Sequence, residues 1–345
     1  YRPKSEKKFF KKSTYKNMKK KVAFVTGSRA DYGLLKNLIN HFENDKKNYI
    51  FTVLATGMHL QKRYGETIQN IIQDYPKNTK IIRMNINGDN SHAINEYISS
   101  GINKFSIYFK KNKFDFIVVL GDRTEIFAAS VASYYQRIPI IHLHGGEVTK
   151  GSLDDSIRHS ISKMSSIHFV SHSSYKKRLI QLGEEKNKIF NVGAIGVDSI
   201  FLNKKFAKKN ILKKYILSLK NKNLLVTFHP DTISSKDNIR QIKILLKTFS
   251  KFKDIFYLFT MPNNDISNLT IIKSIKKFQK NNQNSKLVPS LGQTDYFSIL
   301  KLYDGVIGNS SSGIIEVPYF NKGVINIGNR QDGRVFSKKI ISCKV

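Results

Sequence analysis

Cysteine is almost missing from this chain, acidic residues are scarce, and no apolar run is long enough to span a bilayer. One cysteine, Cys343, in 345 residues excludes an internal disulfide framework and fits a reducing cytoplasm. CxxC and HExxH are both absent, so a zinc site has no support, and neither a metal nor an organic cofactor is expected. No signal-peptide pattern opens the sequence, and no membrane partner is expected. The acid deficit is large: 25 Asp and Glu against 59 Lys and Arg, a formal charge of +34. Such an excess invites a nucleic-acid reading. The lysines, however, are scattered along the polar faces of the expected helices and mixed with Asn and Ile. RNP aromatics are absent. The charge is therefore read as a solvated surface, with no nucleic-acid partner.

The length suits two domains. Residues 1–20 form a Lys-rich tail without a usable period and are expected to be disordered. Met18 stands directly before the first strand and reads as the natural start. From Lys21 strands and helices alternate: strand 21–27, a helix carrying Leu34, Leu35, Leu38, Ile39 and Phe42 on one face, strand 50–57, a helix near 64–74, strand 81–86 and a helix near 92–112. The pattern continues to strand 189–193, breaks around Gly196 to Asn210, and restarts at NLLVTFHP. It then repeats through GVINIG with a helix expected to run to about Phe320. This places a first domain at 21–195 and a second at 196–345. Such alternation implies parallel sheets with helices on both faces: two Rossmann-like doubly wound α/β domains in tandem, with a cleft between them.

Charged residues gather where strands end. From Phe114 to Lys163 the chain reads strand, charged turn, helix, strand, Gly-Gly turn, helix. Asp122, Arg123 and Glu125 follow FIVVLG; His142, His144 and Glu147 follow IPII; Asp154, Asp155, Arg158 and His159 open the next helix. Ligands of open α/β sheets sit outside the carboxyl ends of strands, so this set points to an acid/base site for an anionic substrate. Arg123 at a helix N-terminus opposes the macrodipole, which suits a nearby anion. The structural alternative for the last group is ordinary helix chemistry: Ser152 with Asp155 as a capping box, and Asp154 with Arg158 as an i, i+4 pair.

GNSSSGIIEVP (308–318) is the strongest anion signal. It follows a strand and opens a helix, so backbone N–H groups and the hydroxyls of Ser310, Ser311 and Ser312 suit a phosphate. Glu316 lies just over one turn further on, placed to accept bonds from a ribose diol. No GK[ST] follows, so this is not a Walker A loop. GSRADYG (27–33) is a second such turn, whose Arg29 fork matches a diphosphate. His229 in TFHPD ends the first strand of the second domain and faces the expected cleft, and His59 in TGMHL ends the second strand of the first.

Together TGSRADYG, GDRTE, HLHGGEVTKGSLDDSIRHSISK, FHP, GNSSSGIIEVP and NRQDGR resemble the hydrolysing UDP-N-acetylglucosamine 2-epimerases of sialic-acid and related nonulosonic-acid synthesis, in order over about residues 21–343. The resemblance implies a glycosyltransferase-B-like fold with UDP held mainly by the second domain. It implies that a base removes the C2 proton as the C1–O bond to UDP breaks, giving a 2-acetamidoglucal, to which water adds at C1 while a proton returns to the other face of C2. N-acetylmannosamine and UDP would be released. On this reading Asp122, Glu147, Asp154 and Asp155 are the carboxylates around the sugar, His229 acts from the opposite domain, and Arg29, Arg123, Arg158 and His59 contact substrate or phosphates. Ser310 and Ser311 hold the β-phosphate, Glu316 the ribose, and Arg330 closes the site. His144 stands where relatives can carry a glutamate, leaving open whether His144 or a neighbouring carboxylate supplies the second proton. The family pattern continues past NRQDGR with a helix that crosses back to the first domain, so a chain ending at Val345 is expected to be a fragment or a truncated frame. A cytoplasmic homo-oligomer, dimer or tetramer, is expected. UDP-N,N′-diacetylbacillosamine is an alternative substrate; a glycosyltransferase or an inactive UDP-binding relic is the alternative from another class.

Overall fold

The computed structural model describes residues 19–62, 65–84, 88, 90–150, 153–202, 208–215, 222–231, 235–262 and 268–344. The expected tail up to residue 18, Ser152 of the capping box, and the end of the expected strand 81–86 lie outside them.

The first sheet is built from β1 (Lys20–Thr26), β2 (Tyr49–Ala55), β3 (Thr79–Ile81), β4 (Phe116–Leu120), β5 (Ile140–Leu143), β6 (Ile167–Val170) and β7 (Ile189–Asn191). All neighbours are parallel, in the order β3-β2-β1-β4-β5-β6-β7. Its helices are α1 (Arg29–Asn44), α2 (Ile68–Asp74), α3 (Ser91–Lys111), α4 (Thr124–Tyr135), α5 (Asp154–Met164) and α6 (Ser173–Gln181). Strand side chains alternate between faces. Ala23, Val25, Ile117 and Val119 therefore pack with Phe105, Phe109 and Ile126 of α3 and α4. Val22, Phe24, Val118 and Leu120 pack on the other face with Leu35, Ile39 and Ile71 of α1 and α2. Burial on both faces explains why these strands read as unbroken apolar runs.

Two helices, α7 (Ile195–Leu202) and α8 (Lys208–Tyr215), lead to the second sheet. Its strands are β8 (Lys222–Thr227), β9 (Ile255–Thr260), β10 (Ser285–Val288), β11 (Gly305–Gly308), β12 (Gly323–Ile327) and β13 (Ile340–Cys343). The order is β10-β9-β8-β11-β12-β13, again all parallel. Around it lie α9 (Ser235–Phe249), α10 (Asn268–Asn281), α11 (Gly292–Leu302) and the short α12 (Ser311–Ile315). The fold is thus two doubly wound parallel-sheet domains, as the alternation implied.

The departures have local causes. β3 is Thr79–Ile81 rather than a strand from residue 81, because it is an edge that pairs only with β2. Ile82 still donates its N–H to the Ala55 carbonyl at 3.0 Å, and Ile82 and Met84 enter the core just past the strand's end. The helix expected to reach Phe320 stops at Ile315 and continues as a 3-10 turn, Val317–Phe320, with Pro318 near its start. Strand β13 is not expected from the sequence; it is short and largely exposed, so its residues carry no burial pattern.

In each sheet the chain runs outward from the first strand and then returns to that strand's other side. Two switch points result, between β1 and β4 and between β8 and β11, and loops from both surround the cleft. At the second switch point Gly308 has φ +144, and a Cβ there would strike the Thr227 carbonyl oxygen. Gly308→Ala is expected to destabilise the protein by about 1–3 kcal/mol, read as a lowered urea midpoint. An unchanged midpoint would show that the β8 backbone yields at no cost.

Candidate active site

A cavity of about 350 Å³ lies between the two sets of strand ends. From the first domain it is lined by Arg29 and Asp31 after β1, Asp122 and Arg123 after β4, His144 and Glu147 after β5, and Asp154 and Arg158 on α5. From the second come His229 after β8, Ser310, Ser311 and Glu316 after β11, and Arg330 and Arg334 beyond β12. Of the fourteen residues to which the resemblance gives a role, twelve meet here; His59 and Asp155 do not line the cavity, nor do Glu125, His142 and His159 of the strand-end set.

Arg158 organises the first-domain carboxylates. It is 2 % exposed, and its guanidinium bonds Asp122, the Glu147 carbonyl at 2.9 Å and Thr149 Oγ1 at 3.3 Å. Buried this deeply, it turns to the strand-end loops instead of forming the expected helix-surface pair with Asp154. Asp154 meets Arg330 of the second domain at 3.0 Å. Asp155 accepts the Thr149 N–H at 2.6 Å, so it holds the loop that carries Glu147.

Glu147 is nearly sealed from solvent. Its carboxylate accepts from Ser171 Oγ at 2.6 Å, from His144 Nδ1 at 3.0 Å and from Arg334. Burial works to raise its pKa, but Arg334 and His144 outweigh that and hold it below the usual carboxylate range. His144 Nε2 accepts the Ile195 N–H at 3.4 Å, so the ring proton sits on Nδ1 and is donated to Glu147. His144 also holds φ +63, a left-handed backbone uncommon outside glycine.

On the opposite wall, Asn309 brackets His229: its side chain accepts the His229 N–H at 2.6 Å and donates to the His229 carbonyl at 2.8 Å. Burial, with Arg330 and Arg123 nearby, pushes the His229 imidazole well below its usual pKa and keeps it neutral. Ser310 is the N-cap of α12 but makes no side-chain cap bond, so it is not merely closing the helix. Ser312 is committed internally to Tyr296 and Glu316. Arg29 packs over the backbone of Gly292, where a Cβ would strike its guanidinium, and has no carboxylate within ion-pair distance among the described residues.

His59 is the clear miss. Its ring is buried between Thr26 at 3.0 Å and Thr67 at 2.7 Å, and burial lowers its pKa to about 3. It pins the loops after β1 and β2 and does not reach the cavity. A strand-end histidine looks the same in sequence whichever way it turns. The overlooked residues are Asp31, inside the quoted GSRADYG, and Arg334, four residues after Arg330 in NRQDGR. An arginine pair at that spacing was the available signal.

The segment bearing both arginines is tied across the cleft. Lys150 N–H donates to the Asp332 carbonyl at 3.0 Å, and Val335 N–H to Tyr175 Oη at 3.2 Å. Removing Arg334 leaves Glu147 buried without its strongest cation. Arg334→Gln is expected to cost about 3 kcal/mol or more at pH 7. Because the Glu147 pKa is depressed on folding, the pair stabilises above the unfolded value of about 4.3 and loses its effect as pH falls further. Denaturation of both proteins at pH 7 and at about pH 3, well below the unfolded value, tests this; a difference of the same size at both would refute it.

Known proteins share this architecture. The sequence profile of the family described as UDP-N-acetylglucosamine 2-epimerase matches residues 42–345. The chain is 40 % identical over 329 residues to the GDP/UDP-N,N′-diacetylbacillosamine 2-epimerase (hydrolyzing) of Campylobacter jejuni, covering 95 % of this chain and 85 % of that one. It is 39 % identical over 327 residues to polysialic acid biosynthesis protein P7 of Escherichia coli, covering 94 % and 83 %. The crystal structure of Methanocaldococcus jannaschii UDP-GlcNAc 2-epimerase in complex with UDP-GlcNAc and UDP superposes with a TM-score of 0.78 at 19 % identity, over 94 % of this chain and 89 % of that one. With its motifs, its two sheets and these relatives in agreement, the chain belongs to the UDP-N-acetylglucosamine 2-epimerase family.

Proposed function

We propose that the protein converts a UDP-activated 2-acetamido sugar, by inversion at C2 and hydrolysis at C1, into UDP and the free epimer. With UDP-N-acetylglucosamine the product is N-acetylmannosamine. The supporting observation is the meeting of first-domain carboxylates with His229, Ser310, Ser311 and Arg330 of the second domain in one cavity. We divide the labour at residues 195/196, with sugar chemistry on the first side and UDP on the second.

Elimination needs a base at C2 and cations for the departing diphosphate. Arg29, Arg123, the α12 turn and Arg330 supply the charge and donors that UDP requires as the C1–O bond breaks. The carboxylates Asp122, Glu147 and Asp154 stand on one wall and the neutral His229 on the other, so groups are present for both faces of C2. Water adds at C1 of the 2-acetamidoglucal as the proton returns to C2. His144 has both ring nitrogens engaged and Glu147 both carboxylate oxygens, so this bonded pair positions the wall beside Asp122 and Asp154. Asp155 acts through Thr149 and Arg158 as a support of the same loop. Glu316 is left for the ribose; burial raises its pKa, against the pull of Ser312 and His144.

UDP-N,N′-diacetylbacillosamine is the second reading for the substrate, favoured by similarity to the Campylobacter jejuni relative of that name. Incubation with each nucleotide sugar in D2O, followed by proton spectroscopy, separates the possibilities. The expected product is a free 2-epimer deuterated at C2. Release of an unlabelled, unepimerised sugar would exclude C2 chemistry, and binding without turnover would leave a relic. Asp122→Asn and His229→Ala are each expected to lower kcat by about a hundredfold or more. A near-normal rate would remove that residue from the mechanism.

A further inference from the structure

Asp31 is a cavity residue whose position the mechanism above does not use. It lies in the first turn of α1, its N–H donating to the N-cap Ser28 Oγ at 3.3 Å. Its side chain is only 14 % exposed, yet among the described residues Oδ2 has no hydrogen-bond partner. Among the described residues the cation paired with it is Arg123, whose Nε stands 3.6 Å from that oxygen but 2.8 Å from Glu125 Oε1. Glu125 takes the bond, and it cannot be displaced easily. It is wedged between Gly27 and Gly57, where a Cβ at either position would strike its carboxylate. The other end of the guanidinium, Nη2, rests on Met58 Sδ at 3.1 Å. One arginine is therefore shared by two carboxylates, and Asp31 is served second.

Burial pushes the Asp31 pKa up to about 6, with Arg123 opposing the rise and Glu125 adding to it. A half-satisfied carboxylate facing a cavity works against the stability of the fold, and groups placed at such cost mark functional positions. A carboxylate repels a diphosphate, so its partner must be a donor. The donors that a UDP-sugar offers to the first domain are the hydroxyls and acetamido N–H of the sugar.

Building on the proposed function, we propose that Asp31 is a substrate-binding, specificity-determining residue whose Oδ2 receives a hydroxyl or amide hydrogen of the sugar ring. The residue then selects for sugars bearing a donor at one ring position. A site built to bond such a group rejects the analogue lacking it far more strongly than a greasy wall would.

The test uses calorimetry and kinetics on wild type, Asp31→Asn and Asp31→Ala with UDP, the parent UDP-sugar and its 3-, 4- and 6-deoxy forms and its 2-deamidated form. In the wild type, one analogue is expected to bind roughly ten- to a hundredfold more weakly than the parent. Asp31→Ala should weaken the parent by a similar factor and bind parent and analogue alike, with Asp31→Asn intermediate. Affinity for UDP alone should not fall in either variant, since a carboxylate beside Arg123 is removed, and Asp31→Asn should melt no lower than wild type. Equal weakening of UDP and UDP-sugar would reveal a structural role and overturn the assignment. So would normal sugar discrimination by Asp31→Ala in a protein that still turns over its substrate. A wild type that binds UDP but no UDP-sugar would overturn the proposed function as well.

Discussion

The structure depends on pairing buried charges across a cleft. Glu147 meets Arg334 and Asp154 meets Arg330, each pair joining one domain to the other. Within the first domain, Asp122 is held by Arg158. A carboxylate withdrawn from water without a partner would protonate or open the fold. The second domain's Arg334 therefore keeps the buried Glu147 ionised.

That coupling follows from topology. Both sheets reverse direction after their third strand, so each presents a pair of adjacent strand ends with loops splayed to either side. The loops after β1 and β4 face those after β8 and β11, and segment 329–335 reaches back over α5 and α6. Asn309 shows how local the control is. It anchors the His229 backbone by two bonds and offers its own carbonyl to Gln331 at 2.7 Å, tying three loops together beside the cavity.

The sequence made strand ends legible because an apolar run buried on both faces must stop where charge begins. GSRADYG, GDRTE, FHPD and GNSSSG could be placed on that basis, and the cavity gathers residues from all four. What it did not make legible is direction and long-range pairing. His59 ends a strand as His229 does, but two threonines close around its ring. Asp154 and Arg158 have ideal spacing for a surface pair, yet Arg158 goes inward once its helix packs on β5. Arg334 lies in coil without periodicity, and its partner is 187 residues away. The left-handed φ of His144 has no glycine to announce it.

The abundance of positive charge is itself informative once the site is seen. The chain carries 11 arginines and 48 lysines. Five of those arginines, Arg29, Arg123, Arg158, Arg330 and Arg334, line the cavity among the described residues, and no lysine does. A compositional drift toward lysine would have delivered lysines here too. Only a planar, always-charged fork can serve one carboxylate and keep further N–H groups for a phosphate at fixed angles, whereas a buried ammonium tends to lose its proton. The acids follow the same logic. In a chain this poor in them, Asp31, Asp122, Glu125, Glu147, Asp154, Asp155 and Glu316 all lie in or against the cavity walls. The surface is lysine in water; the site is arginine against carboxylate, and that division separates what the composition does from what the chemistry requires.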